Sequence, residues 1–262
     1  MNILTYGNDP RVSVCRYCLE QRLPKAATPG LNLSRILLLP IPTSKDGHTI
    51  TGTKIPLAEL LPLAGPDTLT AGYRIPPALR RGIAEAGGLL ADVSRDEEFE
   101  RKNAVLSALG TLGYLLNTTP RAPLDLTVGV IGYGKIGREL VRMLLFLGAD
   151  VRVYSGKETV CRELGKYGVT AVHVRYDSGD GVDFSGLSVL INTAPASLIR
   201  AEDLPAPPPR ILEVASGENL PEELPAERLP SLPGRMYPES AGLAYGDAIL
   251  RMLLGTPSKK GS

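Results

Sequence analysis

A short apolar run near the middle of the chain leads directly into a glycine-rich turn and an amphipathic helix: Thr127-Val-Gly-Val-Ile131 is followed by Gly132-Tyr-Gly-Lys-Ile-Gly137. The glycines have the spacing G-x-G-x-x-G, in the strand, turn and helix setting that this pattern requires. The first permits a tight turn, the second lets the backbone approach a pyrophosphate, and the third lets the helix pack closely on the strand. The helix N-terminus offers amides and a positive dipole to phosphates. The sequence therefore predicts a Rossmann-type dinucleotide site, whose residues are Gly132, Tyr133, Gly134, Lys135, Ile136 and Gly137.

The next predicted strand ends in Val153-Tyr-Ser-Gly-Lys157. Enzymes that bind NAD usually place Asp or Glu here, to bind the ribose hydroxyls. In this chain Ser155 can hydrogen-bond a 2′-phosphate and Lys157 can pair with it, which favours NADP. The alternative is an exposed lysine on an ordinary turn.

A later strand ends in Ile191-Asn-Thr-Ala-Pro195. In such folds the backbone at this edge of the sheet passes the nicotinamide ribose. We therefore add Thr193, Ala194 and Pro195 to the predicted cofactor contacts. The alternative is a simple turn that ends the strand.

Apolar strands alternate with helical patterns along most of the chain, which is typical of a parallel α/β fold. Strands are predicted at 3–6, 35–39, 68–71, 89–93, 126–131, 151–154, 171–174, 189–192 and 211–215, and helices at 11–21, 56–63, 76–86, 96–117, 136–147, 158–166 and 240–254. The Pro-rich stretches 205–209 and 221–233 are interpreted as rigid connection loops. The predicted organisation is a substrate-side domain of residues 1–95 plus 238–256, a linking helix at 96–120, an NADP-binding Rossmann domain at 121–237 and a tail at 257–262.

The composition excludes several classes of function. The chain has 262 residues, 43% of them hydrophobic, and 29 Lys and Arg balance 28 Asp and Glu to a net charge of +1. Such a chain buries a sizeable core and has no overall field for nucleic acid or anionic membranes. The N-terminus lacks the pattern of a signal peptide, and three cysteines fit a reducing compartment. We expect a cytoplasmic protein that forms homo-oligomers and binds neither nucleic acid nor membrane.

Six segments carry a resemblance to a known family. They are Leu39-Pro-Ile-Pro-Thr-Ser-Lys-Asp-Gly47, Asn103-Ala-Val-Leu-Ser-Ala-Leu-Gly-Thr111, the turn 132–137, Ile191-Asn-Thr-Ala-Pro195, Val214-Ala-Ser216 and Leu232-Pro-Gly-Arg-Met-Tyr-Pro-Glu-Ser-Ala-Gly242. In order and spacing they resemble the A subunit of dipicolinate synthase, a two-domain relative of the D-2-hydroxyacid dehydrogenases. The resemblance implies an NADP-binding Rossmann domain and a flavodoxin-like first domain. It also implies oxidation of dihydrodipicolinate during sporulation, with hydride passed to NADP⁺, and a partner that is a flavoprotein-like B subunit.

The same resemblance implies where a small carboxylated substrate and the cofactor bind. The implied substrate contacts are Pro42, Thr43, Ser44, Gly47, Ser107, Thr111, Ser216, Ser240 and Gly242, and Ala215 joins the cofactor contacts. Free hydroxyls and amides on the 42–47 loop suit a carboxylate; a flexible surface loop is the alternative. Ser107 and Thr111 are one helical turn apart and can both face a cleft between the domains, or bond their own backbone.

The chain departs from the family in two ways. The stretch between Gln21 and Arg35 is too short for the family's full set of βα units, so the first domain is expected to be smaller. In addition, Leu109, Gly217 and Glu239 stand where an acid, an arginine and a lysine are expected. A dicarboxylate needs cationic or amide-rich partners, because burying an unpaired carboxylate is costly. A catalytically degenerate NADP-binding or partner-binding relative therefore stays open as a second interpretation.

The remaining candidates for chemistry are two histidines and a cysteine pair. His173 falls inside a predicted strand and is interpreted as structural, whereas His48 lies on the loop after the second strand, either solvated or facing the cleft. No catalytic residue is assigned. Cys15-Arg-Tyr-Cys18 is a single C-x-x-C on a helix with no second Cys pair or His cluster, so we predict no metal site.

Overall fold

The computed structural model describes residues 1–23, 33–175, 181–196, 199–217 and 219–255. It consists of two compact units, one formed by residues 1–103 and the chain from Pro233 onward, the other by residues 104–232. Each unit is built on one parallel sheet with helices between the strands, so the predicted α/β class is confirmed. The predicted tail at 257–262 lies outside the described residues.

Most observed elements lie within two residues of their predicted bounds. In chain order they are β1 (Asn2–Thr5), α1 (Pro10–Arg22), β2 (Arg35–Leu38), β3 (Thr68–Gly72), α2 (Pro77–Glu85), β4 (Leu89–Asp92), α3 (Glu97–Thr118), β5 (Thr127–Ile131), α4 (Lys135–Phe146), β6 (Asp150–Ser155), α5 (Glu158–Lys166), β7 (Thr170–His173), β8 (Val189–Asn192), β9 (Arg210–Glu213), β10 (Ala226–Arg228), α6 (Leu232–Met236) and α7 (Pro238–Leu254). The segment predicted as a helix at 56–63 is a 3-10 helix at Leu57–Leu63, with Pro62 inside it.

The interpretation of 221–233 as loops only was wrong, because the segment contains β10 and the start of α6. The sequence of β10, Ala-Glu-Arg, has little β propensity of its own. The strand forms because it pairs in parallel with β9, where Ala226 is opposite Ile211 and Arg228 is opposite Glu213.

The sheet of the second unit has the order β10-β9-β8-β5-β6-β7, all parallel. Numbered from β5, this is the order 3-2-1-4-5-6 of a doubly wound dinucleotide-binding fold. The chain reverses direction across the sheet between β5 and β8, which are hydrogen-bonded neighbours with Val128 opposite Val189. In open parallel sheets, ligands bind at the carboxyl ends of the strands at this reversal.

The sheet of the first unit has the parallel order β1-β2-β3-β4. The face with Ile36 and Leu38 is covered by α1 and α7, and the face with Leu37 and Leu39 is covered by α2 and the 3-10 helix. A flavodoxin-like sheet has the order 2-1-3-4-5. Without its second strand the remaining order is 1-3-4-5, which is the order found here and agrees with the expected smaller domain. Residues 24–32, where the linker to β2 was predicted, lie outside the described residues.

Helices α1 and α7 pack against each other through two glycines of α7. A Cβ atom at Gly242 would lie 2.5 Å from Val14 Cβ and 2.8 Å from the carbonyl oxygen of Arg11, and one at Gly246 would lie 2.8 Å from Cys18 Sγ. Neither position has room for a side chain. Gly242 was predicted as a substrate contact, but here its small size serves the packing of two helices.

Candidate functional site

The glycine-rich turn lies at the reversal point of the second sheet. Gly132 follows β5 and Thr193 follows β8, and the two strand ends are tied together. Thr193 donates to the carbonyl of Ile131 from its backbone N–H at 2.9 Å and from its hydroxyl at 2.8 Å. The predicted phosphate turn and the predicted nicotinamide-side segment are therefore neighbours in space.

The three glycines of the turn have different surroundings. Gly132 has φ +88°, a conformation that favours glycine, and a Cβ there would lie 3.0 Å from Ala194 Cβ. A Cβ at Gly137 would lie 2.1 Å from the carbonyl oxygen of Gly132, so only glycine fits under the turn. A Cβ at Gly134 would meet nothing within 4 Å. The space beside Gly134 is open, as a backbone that approaches a pyrophosphate requires.

The first turn of α4 is positively charged. Gly134 is its N-cap, the first turn has no acidic side chain, and Lys135 and Arg138 are exposed. Helices usually carry acids at this end, because their N-terminal dipole is positive. Basic side chains there suit a bound anion. The Arg138 guanidinium carbon lies 5.6 Å from the centroid of the Tyr133 ring. Arg138 was missed from the sequence, although a basic residue one position after the glycine pattern was the available signal.

Ser155 and Lys157 lie at the carboxyl end of β6. Ser155 is buried, and its hydroxyl oxygen accepts from the backbone N–H of Lys157 at 3.2 Å. The Lys157 side chain is exposed at the N-cap of α5. Glu158 follows in the first turn of α5 and pairs with Arg162 at 3.1 Å. This hydrogen bond fixes the backbone that presents Lys157, and it leaves the Ser155 hydroxyl proton able to donate to a phosphate oxygen, as the predicted 2′-phosphate contact requires.

A buried polar network organises the ends of β8 and β9. Asn192 donates from Nδ2 to Glu213 Oε2 at 3.0 Å, and its Oδ1 accepts from the backbone N–H of Ala194 at 3.1 Å. Asn219 donates to Glu213 Oε1 at 3.5 Å and to the carbonyl of Ser216 at 3.2 Å. Burial raises the pKa of Glu213, and the hydrogen bonds from Asn192 and Asn219 oppose this shift.

This network fixes the turn Thr193-Ala194-Pro195, and Ala215 is held nearby by its backbone N–H, which donates to the Asn192 carbonyl at 3.2 Å. Asn192 and Glu213 were not among the predicted site residues. The available signal was a polar residue at the end of each apolar strand.

The loop after β2 hydrogen-bonds to its own carboxylate. Asp46 accepts from the backbone N–H groups of His48 and Thr49, each at 2.8 Å, and from the Thr49 hydroxyl at 2.6 Å. The Ser44 hydroxyl donates to Asp46 at 2.9 Å and accepts from Gly47 N–H at 3.0 Å. These bonds lower the pKa of Asp46 well below its usual range, with the Thr49 hydroxyl the largest cause. The expectation of free hydroxyls and amides here was wrong for these groups, because Asp46 and Ser44 already engage them.

Thr43 is buried at the edge of the first sheet. Its hydroxyl oxygen accepts from Tyr73 N–H at 3.0 Å, and its own N–H donates to the Tyr73 carbonyl at 3.0 Å. It thereby ties the loop to the end of β3. Pro42, which precedes it, follows a cis peptide bond.

Two predicted contacts lie on α3. The Thr111 hydroxyl donates to the carbonyl of Ser107 at 2.9 Å, which is the backbone-bonding alternative. Both residues are buried, and Leu109 between them is 37% exposed.

The other departures lie on surfaces. Gly217 has φ +103° and follows the exposed Ser216. Glu239 and Ser240 are exposed in the first turn of α7. An arginine side chain at position 217 would be strained in this backbone conformation.

The cysteine pair of α1 belongs to the core of the first unit. Cys15 and Cys18 are free thiols that are buried against α7, and burial raises the pKa of Cys15 well above its ordinary value. Within the described ranges no group of three His, Cys, Asp or Glu side chains is placed to hold a metal. His48 and His173 are both exposed. No helix in the described part of the chain has the length and hydrophobicity to cross a membrane.

The strand order and the glycine turn at its reversal define a Rossmann-type fold in the second unit. The sequence matches no protein-family model, and curated proteins gave no significant match. The fold is similar to the A subunit of dipicolinate synthase from Bacillus halodurans, with a TM-score of 0.74 and 18% identity over 96% of this chain and 97% of that one. It is also similar to the A chain of dipicolinate synthase from Bacillus subtilis, with a TM-score of 0.71 and 18% identity over 97% and 95%.

A third similar structure is an NADPH-dependent glyoxylate/hydroxypyruvate reductase from Sinorhizobium meliloti, with a TM-score of 0.50 and 15% identity over 99% of this chain and 95% of that one. At such identities the likeness shows the fold. The predicted resemblance to the A subunit of dipicolinate synthase is confirmed at that level.

Proposed function

We propose that this chain is an NADP-dependent oxidoreductase that acts on a small carboxylated substrate, of which dihydrodipicolinate is the first candidate. The observation that carries the proposal is the glycine turn at the reversal of the second sheet. Its backbone fits a pyrophosphate, because the position beside Gly134 is open while Gly132 and Gly137 are closed against protein. The basic first turn of α4 adds charge of the right sign.

NADP⁺, when bound, supplies the acceptor for a hydride. Gly132 to Gly137 and the α4 N-terminus would hold its pyrophosphate, and Lys157 its 2′-phosphate. The nicotinamide would be bordered by Thr193, Ala194, Pro195 and Ala215. Hydrogen bonds of Asn192, which Glu213 holds in place, fix the backbone of the 193–195 turn. The NADPH dependence of the similar S. meliloti reductase supports the choice of NADP.

Oxidation of dihydrodipicolinate would transfer a hydride from the ring to NADP⁺ and release one proton, giving dipicolinate and NADPH. Aromatisation supplies driving force, so positioning matters more than any single acid or base. The similar dipicolinate synthase structures support this substrate class. As further parts of the proposal, the enzyme is cytoplasmic and homo-oligomeric, and its partner is a flavoprotein-like B subunit.

Calorimetric titration with NADPH and NADH, followed by an assay of NADPH formation from dihydrodipicolinate, tests the proposal. We expect tighter binding of NADPH and slow turnover that increases when the B subunit is added. Equal or tighter binding of NADH would reject the NADP assignment. Binding of neither nucleotide would reject the function as a whole.

The second candidate is a catalytically degenerate NADP-binding or partner-binding relative. Two observations favour it: an apolar Leu109 is exposed where an acid was expected, and Gly217 has φ +103°, where an arginine does not fit easily. Micromolar binding of NADPH, with no turnover in the presence or absence of the B subunit, would select this candidate.

A further inference from the structure

Arg74 has an unusual backbone conformation at the carboxyl end of β3. Its φ is +51°, and among the described residues Ser231, with φ +55°, is the only other non-glycine residue with positive φ. A bulky side chain in this region costs energy and persists only where its surroundings hold it. Such positions are enriched at ligand-binding sites.

The turn that contains Arg74 is held from two sides. The buried carboxylate of Asp92 accepts from the Arg74 N–H at 2.9 Å and from the Ile75 N–H at 3.1 Å, and Arg80 pairs with the same carboxylate. On the other side Thr43 bonds both backbone groups of Tyr73. The position of Arg74 is therefore fixed by the sheet edge itself.

The Arg74 side chain is exposed but anchored. Its guanidinium carbon lies 5.3 Å from the centroid of the Tyr73 ring, within the range of a cation–π contact. Tyr73 is buried with its ring 5.9 Å from that of Phe99. Burial, together with the hydrogen bond to Glu100, raises the pKa of Tyr73 to about 12, so its ring stays neutral at physiological pH. An arginine stacked on a fixed aromatic ring loses less conformational freedom when it binds an anion.

The carboxyl edge of the first sheet needs such a cation if it binds a carboxylate. The amides of His48 and Thr49 on the neighbouring loop already donate to Asp46, and Glu239 of the same unit stands where a lysine was expected. We propose that the Arg74 guanidinium binds a carboxylate of the substrate at the end of β3. This rests on the proposed function, which supplies a carboxylated substrate. A guanidinium binds a carboxylate with two parallel hydrogen bonds, which a lysine cannot reproduce.

Arg74→Gly separates this role from a purely structural one. Glycine adopts a positive φ without strain, so the variant is expected to melt at the same temperature as the wild type or higher, with unchanged NADPH affinity. Its affinity for dipicolinate, measured by calorimetry, is expected to fall at least tenfold. The affinity of Arg74→Lys for dipicolinate should fall less than that of Arg74→Gly. Two variants serve as controls: Ser231→Gly changes the other positive-φ residue, and Arg81→Ala removes an exposed arginine of α2. Both should bind dipicolinate as the wild type does.

An affinity of Arg74→Gly within twofold of the wild type would overturn the proposal, as would an equal loss in Arg81→Ala, which would show a general charge effect. Wild-type protein that binds NADPH but not dipicolinate would reject the role of Arg74 and leave the nucleotide site standing. Arg74-dependent binding of dipicolinate without any nucleotide binding would support the carboxylate site and reject the oxidoreductase.

Discussion

Two loops at carboxyl ends of parallel strands look alike in the sequence but differ in how their backbone amides are used. The turn Gly132–Gly137 of the second unit has open space beside Gly134 and a basic helix start. The loop Ser44–Thr49 of the first unit donates the amides of Gly47, His48 and Thr49 to its own side chains. Both are rich in small and polar residues.

From this difference we expect a polar loop at a sheet edge to bind an anion only if its backbone donors are unused. Backbone N–H groups at a helix start lack partners within the helix, so an anion there completes their hydrogen bonding. A loop that contains an aspartate two or three residues before its amides completes its own.

The largest effect is expected at Gly137. Its Cβ would lie 2.1 Å from the Gly132 carbonyl oxygen, which is backbone and cannot rotate away. Gly137→Ala should lower the free energy of unfolding by an amount near the top of the roughly 1–3 kcal/mol range for overpacking, and should weaken NADPH binding through distortion of the turn. Chemical denaturation and calorimetry measure the two effects.

Gly134→Ala is the matched variant for Gly137→Ala. Nothing lies within 4 Å of its Cβ position, and its φ of −79° suits alanine. Stability should stay near that of the wild type, while the added methyl group occupies the space proposed for the pyrophosphate and weakens NADPH binding. If Gly134→Ala binds NADPH as well as the wild type, the phosphate does not lie beside this glycine.

The next effect concerns the choice between NADP and NAD. Lys157→Ala should weaken NADPH binding by about 1–3 kcal/mol, the range for a charge-assisted contact, and leave NADH binding nearly unchanged. Lys166→Ala, an exposed lysine at the far end of α5, is the control for general charge. Equal losses for both nucleotides would show that Lys157 does not read the 2′-phosphate.

Much of the fold followed from local patterns. Most strands of both sheets are short apolar runs that end at Gly, Pro or polar residues, and such runs predict buried parallel strands. The β10 strand was not predicted, because it forms through pairing with β9, and the local sequence carries no signal of that pairing. The packing role of Gly242 was not predicted for the same reason, because Val14, which a side chain at position 242 would clash with, is more than two hundred positions away in the sequence.

The candidate site also has one part that the sequence predicts and one part that it does not. The nucleotide turn was predictable because its function depends on backbone geometry that glycine spacing encodes. The substrate side depends on which hydroxyls and amides have partners, as at Thr43 and Ser44, and only the folded loop shows those partners. Arg74 gave no signal in the sequence, because its backbone conformation depends on Asp92 from the next strand.

A smaller effect is expected at the loop's own carboxylate. Asp46→Ala removes the acceptor of the His48 and Thr49 amides, so hydrogen exchange at both should accelerate while global stability changes little. In the wild type these hydrogen bonds hold the pKa of Asp46 below its ordinary value of 3.8. Protection of the two amides from exchange should therefore be complete above pH 3.8, and it should be lost as the pH falls through the lower pKa of Asp46 in the folded state. Unchanged exchange in Asp46→Ala would show that other contacts hold the loop closed.

The last prediction concerns Glu213, a buried carboxylate of the second unit, and its effect depends on pH. Burial raises the pKa of Glu213 above its ordinary value of 4.5. Below about that pH both folded and unfolded states are protonated. As the pH rises from there through the raised folded-state pKa, the unfolded state releases its proton first, and the wild type loses stability. Glu213→Gln keeps a carbonyl oxygen for Asn192 and cannot ionise. Its stability relative to the wild type should therefore rise over this window, by no more than about 1.4 kcal/mol per pH unit for one proton, and stay constant above it. Glu227→Gln should give the opposite trend in a lower window, because the ion pair with Arg210 lowers the pKa of Glu227. The wild type gains stability as the pH rises from that lowered folded-state pKa to the ordinary value of 4.5, and the variant does not. Urea unfolding at a series of pH values measures both, and parallel curves for Glu213→Gln and the wild type would show that Glu213 ionises in the fold as readily as in the unfolded chain.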